Sequence, residues 1–134
     1  MVDYQKNIAA EMEQVARAIA KLPPGDLSEL SELELSGVGG ILQSLYNGFE
    51  NILKQTFLAH SKPIPNDPQW HQKIIRQAVQ YGFITEQTAD GLIPYLTFRH
   101  LYRNAYVLDL RPDRMQVLLD DIEEAFAKFK EDVL

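Results

Sequence analysis

Apolar residues recur along this chain at spacings of three and four, the period of an α-helix. Residues 4–22 place Ile8, Met12, Val15, Ile19 and Leu22 on one stripe, with charges elsewhere. Pro23-Pro24-Gly25 ends that helix, because proline cannot continue the hydrogen-bond ladder. Ser31 followed three residues later by Glu34 has the capping-box pattern. It opens a long helix reaching about His60, with Val38, Ile41, Leu42, Leu45, Phe49, Ile52, Leu53 and Phe57 as its stripe. The segment 61–68 carries Pro63, Pro65 and Pro68 and predicts a loop. A third helix is expected over 69–80, ending at Tyr81-Gly82.

Thr85 is a fair N-cap for a fourth helix, with Glu86 in its first turn; Thr88 in place of Glu or Gln excludes a capping box. This helix should run to about Val107, and Gly91 and Pro94 predict a bend or a late start. Pro112 suits the first turn of a fifth helix, whose stripe is Met115, Leu118, Leu119, Ile122, Phe126, Phe129 and Val133. No hairpin signal or repeat interrupts the pattern. The expected fold is all-α, an up-and-down four-helix bundle with about five helices, forming one domain over residues 1–134.

Composition narrows the chemistry. The chain has no cysteine, which excludes disulfides, thiolate metal sites and cysteine nucleophiles. No apolar run approaches a membrane span, and Met1-Val2-Asp3-Tyr4-Gln5-Lys6 does not open like a secretory signal, so a cytoplasmic protein is expected. The net charge of −6 argues against broad coating of polynucleotides. Locally the balance reverses: Arg99, Arg103, Arg111 and Arg114 face only Asp109 and Asp113 in the same stretch. A small cationic cleft of this kind can steer a phosphate.

Most candidate motifs have structural explanations. Gly37-Val38-Gly39-Gly40 lacks the Lys-Ser/Thr of a phosphate loop, since Ile41-Leu42 follows, and close helix approach or a kink explains it better. His60, His71 and His100 have no i, i+4 histidine partner and no compact carboxylate set, so no metal site is expected. Trp70-His71 is read as an anchor for the third helix. Asp120, Asp121, Glu123 and Glu124 fall off the apolar stripe of the fifth helix, as a solvated face does.

The exception is Phe98-Arg99-His100-Leu101-Tyr102-Arg103-Asn104-Ala105-Tyr106. Two arginines, a histidine and an asparagine crowd about two helical turns, and such groups resist burial. Helical spacing puts Arg99, Arg103 and Tyr106 on one stripe, with His100 and Asn104 on the adjoining one.

This stretch resembles the signature of HEPN-domain proteins, specifically the HepT-like toxins of bacterial toxin–antitoxin pairs. Their motif separates an arginine from a histidine by four to six residues, commonly followed by x-Tyr; Arg99 and Tyr106 match the arginine and tyrosine. Leu45-Tyr46-Asn47-Gly48-Phe49-Glu50 and Trp70-His71-Gln72-Lys73-Ile74-Ile75 add to the likeness, which spans about residues 30–130. The resemblance implies a homodimer in which the motif helices of two subunits meet at a shared cleft. It implies metal-independent endoribonuclease activity without a cofactor: histidine activates the ribose 2′-hydroxyl and arginine stabilises the phosphate. It also implies a nucleotidyltransferase antitoxin of the MNT type as partner, with Tyr106 as the candidate adenylylation site. The catalytic candidates are Arg99, Asn104 and His100; the nucleotide- or RNA-binding candidates are Arg99, Arg103 and Tyr106. Tyr106 is expected to face the same cleft as Arg99, and the aromatic set around Tyr102 and Tyr106 to be exposed for dimerisation.

One position departs from the motif. The histidine place is taken by Asn104, whose amide does not titrate near neutral pH and cannot act as a general base. His100 lies one turn away on nearly the same face, but its spacing from Arg99 is wrong for the family. One reading is a ribonuclease of weak or altered activity. The alternative is a catalytically inactive dimer that keeps the cleft to bind RNA, a nucleotide or a partner. A plain bundle is a third, if Arg99 and Arg103 are consumed by internal salt bridges.

Overall fold

The computed structural model describes residues 2–104 and 109–134. They form five α-helices: α1 Tyr4–Ala20, α2 Glu32–Ala59, α3 Trp70–Gln80, α4 Glu86–Asn104 and α5 Pro112–Val133, with a 3₁₀ turn at Leu27–Glu29. No strand occurs among the described residues, and the fold is the all-α bundle that the periodicity predicts. No helix among them is long and apolar enough to cross a membrane.

The helix ends follow local chemistry. Asp3 caps α1 by accepting from the Lys6 amide at 3.0 Å. At the start of α2 the capping box is complete: Ser31 Oγ accepts from the Glu34 amide, and Glu34 accepts from the Ser31 amide. Pro112 occupies the first turn of α5, where its missing N–H has no intrahelical role. Gly82, with φ +79°, turns the chain after α3.

The N-terminus of α4 is capped from a distance. Thr85 Oγ1 accepts from the Thr88 amide at 3.1 Å. The carboxylate of Asp132, at the far end of α5, accepts from the Thr85 amide at 2.9 Å and the Thr88 hydroxyl at 2.6 Å. It does the work of the glutamate that a capping box would carry at position 88. The expected late start of α4 is therefore not observed; the helix begins at Glu86 and runs through Pro94. Both Pro94 and Asp90, whose carbonyl loses its partner to the proline ring, are exposed, so water can satisfy that carbonyl. The stretch after Asn104 expected to extend the helix lies outside the described residues.

The long helix α2 is the spine. It packs on α1 along one side, on α3 and α4 along others, and touches α5. Leu42, Leu45, Phe49, Ile52 and Phe57 are fully buried, and Phe49 meets the rings of Tyr95, Phe126 and Phe129. Each Phe or Leu so enclosed contributes on the order of 1.5–3 kcal/mol. The predicted stripes of α1 and α5 close this core, with Ile19, Leu22, Leu119 and Val133 at its margin.

Two glycines of α2 permit close approach. A Cβ on Gly48 would lie 2.5 Å from Val15 Cγ2, and one on Gly39 would lie 2.4 Å from Tyr102 Cε1. The glycine cluster is thus helical and serves packing. Tyr102 is correspondingly not part of an exposed aromatic set, contrary to expectation. It is half-buried, stacked on Phe98 at 5.8 Å, and its hydroxyl donates to the Ser36 carbonyl at 2.9 Å. The missing Cβ at Gly39 makes the slot that holds it.

Gly39→Ala is expected to cost about 1–3 kcal/mol by displacing the Tyr102 ring. Gly37→Ala, with open space around its Cβ, should instead stabilise by about 0.5–1 kcal/mol. Urea denaturation of both variants decides this; equal effects would refute the slot.

Partial burial raises the pKa of Asp132, but the hydrogen bonds from Thr88 and Thr85 outweigh it and hold the carboxyl below the ordinary aspartate range. A depressed native pKa gives stability that is present above the unfolded value, about 3.9, and lost as pH falls through the native one. Asp132→Asn should therefore lose less Tm than the parent between neutral and acid pH. Parallel Tm–pH curves would contradict the assignment.

Candidate functional site

The polar cluster of α4 divides on folding. Arg99 is half-buried and His100 exposed, and both line a cleft of about 420 Å³ between α4 and the start of α3. Pro68, His71 and Leu96 are also in its wall. Arg103 and Asn104 are exposed and are not in that wall. Asn104 Nδ2 donates at 2.7 Å to the carbonyl of His100, one turn back on its own helix. Tyr106 lies outside the described residues.

Arg99 is positioned by α2. Its Nε donates to Asn47 Oδ1 at 2.7 Å. That bond uses one edge of the guanidinium, and its two terminal nitrogens have no hydrogen-bond partner among the described residues. Neither Arg99 nor Arg103 forms an ion pair among those residues, so the condition for the plain-bundle reading is not met. A planar donor fork held at one edge suits a phosphate at the other.

Behind the cleft is a carboxylate. Glu50 of α2 is only 4% exposed, and its Oε2 lies 2.6 Å from His71 Nδ1. An ionised carboxylate can only accept, so Nδ1 carries the hydrogen. The imidazole packs against Trp70, with ring centroids 3.9 Å apart and the planes tilted by 31°, and Lys54 lies over the indole at 4.2 Å. His71 does anchor α3, as expected, but it also faces the cleft. One turn before Glu50, the buried Tyr46 hydroxyl has no hydrogen-bond partner among the described residues. Burial, and then the Glu50 charge, push this phenol far above its ordinary range, against the opposing charge of Arg99.

The residues near Arg99 that the sequence did not single out as functional are thus Asn47, Glu50 and His71. The available signal was Glu50 itself, a carboxylate set between Phe49 and Ile52 in an apolar run. The carboxylates of α5 form the solvated face expected of them. Asp120, Asp121, Glu123 and Glu124 are exposed, and His60 stacks on Phe83, remote in sequence from the motif. No group of three or more His, Asp or Glu among the described residues is placed to hold a metal ion. A larger groove of about 510 Å³ between α1 and α2, lined by Glu11, Arg17 and Lys21, holds none of the motif side chains. The smaller cleft is the candidate site on chemical grounds.

The family model for HepT-like proteins matches residues 37–134, from the first glycine of the cluster in α2 to Leu134. The chain belongs to the HepT-like family of HEPN proteins. The match takes in the Arg99 motif, Glu50 and His71, and leaves α1 outside. No curated protein and no solved structure gives a significant match.

In this HepT-like protein the Glu50–His71 pair also bears on stability. His71→Ala leaves the buried carboxylate without its imidazole and should cost about 2–3 kcal/mol. Replacing both partners by leucine should recover most of that loss, because the desolvated charge is gone. A double variant no more stable than His71→Ala would show that the pair is not the relevant interaction.

Proposed function

We infer that this HepT-like protein is a metal-independent endoribonuclease of the toxin type, with Arg99 as its phosphate-binding residue. The supporting observation is the Arg99 guanidinium, fixed by Asn47 and directed into a cleft that two imidazoles share. In the reaction the ribose 2′-oxygen attacks the adjacent phosphorus, the bond to the 5′-oxygen breaks, and a 2′,3′-cyclic phosphate and a 5′-hydroxyl form. Arg99 stabilises charge on the phosphoryl oxygens as it develops. Arg103, exposed one turn on, extends the cationic face toward the neighbouring phosphate.

Asn104 takes the place of the motif histidine and donates to its own helix, so it supplies no proton acceptor. Activity is accordingly weak or altered relative to a histidine-bearing motif. His100 is the imidazole of the motif helix that reaches the cleft. Family membership further supports a homodimer and a nucleotidyltransferase antitoxin that adenylylates Tyr106, where a bulky anion would block the site by charge and sterics.

The same departure at Asn104 favours a second reading, a non-cleaving dimer that binds RNA, a nucleotide or a partner. Single-turnover cleavage of an oligoribonucleotide separates the two. Cleavage by the native chain, reduced about 10²–10³-fold by Arg99→Ala, is expected for loss of a phosphate-stabilising donor. Cleavage by Asn104→His alone would identify the native protein as a silenced binding module.

A further inference from the structure

The cleft contains a proton acceptor that does not belong to the α4 motif. We propose that His71 is the general base of this site, oriented by the buried carboxylate of Glu50. The proposal rests on the ribonuclease reading above and names the group that replaces the motif histidine.

Geometry carries it. Glu50 accepts from Nδ1 at 2.6 Å, which fixes the tautomer and leaves the lone pair on Nε2, at the other edge of the ring. Nε2 has no hydrogen-bond partner among the described residues. Close contact with the Trp70 ring, 3.9 Å between centroids, restrains the imidazole further. His71 and Arg99 line the same cleft, from α3 and α4 respectively, so one phosphodiester there can meet both groups. A buried carboxylate, an imidazole and a substrate hydroxyl in series make a base whose orientation is set in advance.

The charged and titratable groups around the imidazole come from three helices. Glu50 of α2 lies against it, with Tyr46 one turn before Glu50, and Lys54 of α2 is across the indole. Trp70 and His71 itself are on α3. Arg99 and His100 face it from α4. The Glu50 carboxylate holds the ring in place for the transfer, and Arg99 offers its guanidinium to the phosphate.

The step balances. His71 Nε2 takes the proton of the ribose 2′-hydroxyl as the 2′-oxygen bonds to phosphorus. The bond to the 5′-oxygen breaks, water protonates that oxygen, and the imidazolium returns its proton to solvent. Glu50 does not touch substrate and is a positioning residue.

The test is single-turnover cleavage of an oligoribonucleotide by the full chain and its variants, with a 2′-deoxy substitution at the cleaved position as control. His71→Asn keeps an N–H near the Nδ1 position for Glu50 and removes Nε2, so the fold is retained and the base is lost. Its rate should fall about 10²–10⁴-fold, the range for general-base catalysis, with RNA binding and Tm close to those of the parent. Added imidazole should restore part of the rate to His71→Ala, which a purely structural role would not allow. Glu50→Gln should reduce the rate less than His71→Asn. Parental cleavage by His71→Asn, with cleavage lost in Arg99→Ala, overturns His71 as base and leaves the ribonuclease reading intact. Loss in His100→Asn but not His71→Asn assigns the base to His100 and overturns the proposal likewise. Absence of cleavage by the native chain overturns the ribonuclease reading and this inference with it.

Discussion

A helix of 28 residues surrounded by four others has little solvated face to spare. That constraint on α2 governs the rest of the molecule. The side toward α1, α4 and α5 is filled with aliphatic and aromatic groups, and glycine is required where α1 and Tyr102 press closest. The remaining side, toward the start of α3 and the middle of α4, carries Tyr46, Asn47 and Glu50 at i, i+1 and i+4. Polar groups withdrawn from water there must find partners within the protein. Asn47 finds Arg99, and Glu50 finds His71. The candidate site is therefore a consequence of how the spine is buried, with α3 and α4 attached to α2 through Glu50–His71 and Asn47–Arg99.

This arrangement couples stability and function. Glu50 would be an unfavourable residue if its only neighbour were the unpartnered Tyr46 hydroxyl. With His71 against it, the carboxylate both secures the first turn of α3 and sets the imidazole tautomer. Arg99 likewise has its Nε taken by an amide rather than a carboxylate, so it keeps its net charge for a ligand. A salt bridge at that place would have neutralised the group the cleft needs.

The fold was legible in the sequence because its determinants are local. The stripes of α1, α2 and α5, the Ser31–Glu34 box and the stop at Pro23-Pro24-Gly25 each require reading only a few residues. The start of α4 at Glu86 agrees with the Thr85 cap legible in the sequence, but its reinforcement by Asp132, which reaches Thr88 across 44 positions, is announced by no nearby residue. Tyr102 was misread for the same reason: its slot is opened by Gly39, and its hydroxyl partner is 66 positions away. Of the candidate site, Arg99 and His100 were legible because motif and helical period mark them. The pairings of Asn47 with Arg99 and Glu50 with His71 were not, since they form only when α2 packs against α3 and α4. Family resemblance pointed to the segments that contain them without giving them a role.

The charge of the whole chain sharpens what such a cleft must do. At a net −6 the long-range field repels a polyanion, so the molecule gains little from the counterion release that drives binding in basic proteins. Recognition then depends on the few contacts at the cleft itself, where an arginine fixed at one edge and a ring fixed in its plane lose little freedom when a phosphate arrives. If an imidazole from α3 takes the proton, position 104 is released from acid–base work, and an asparagine that caps its own helix turn is an acceptable residue there. On the proposal above, the base comes from a neighbouring helix of the same bundle, and Arg99 remains the guanidinium that lines the cleft.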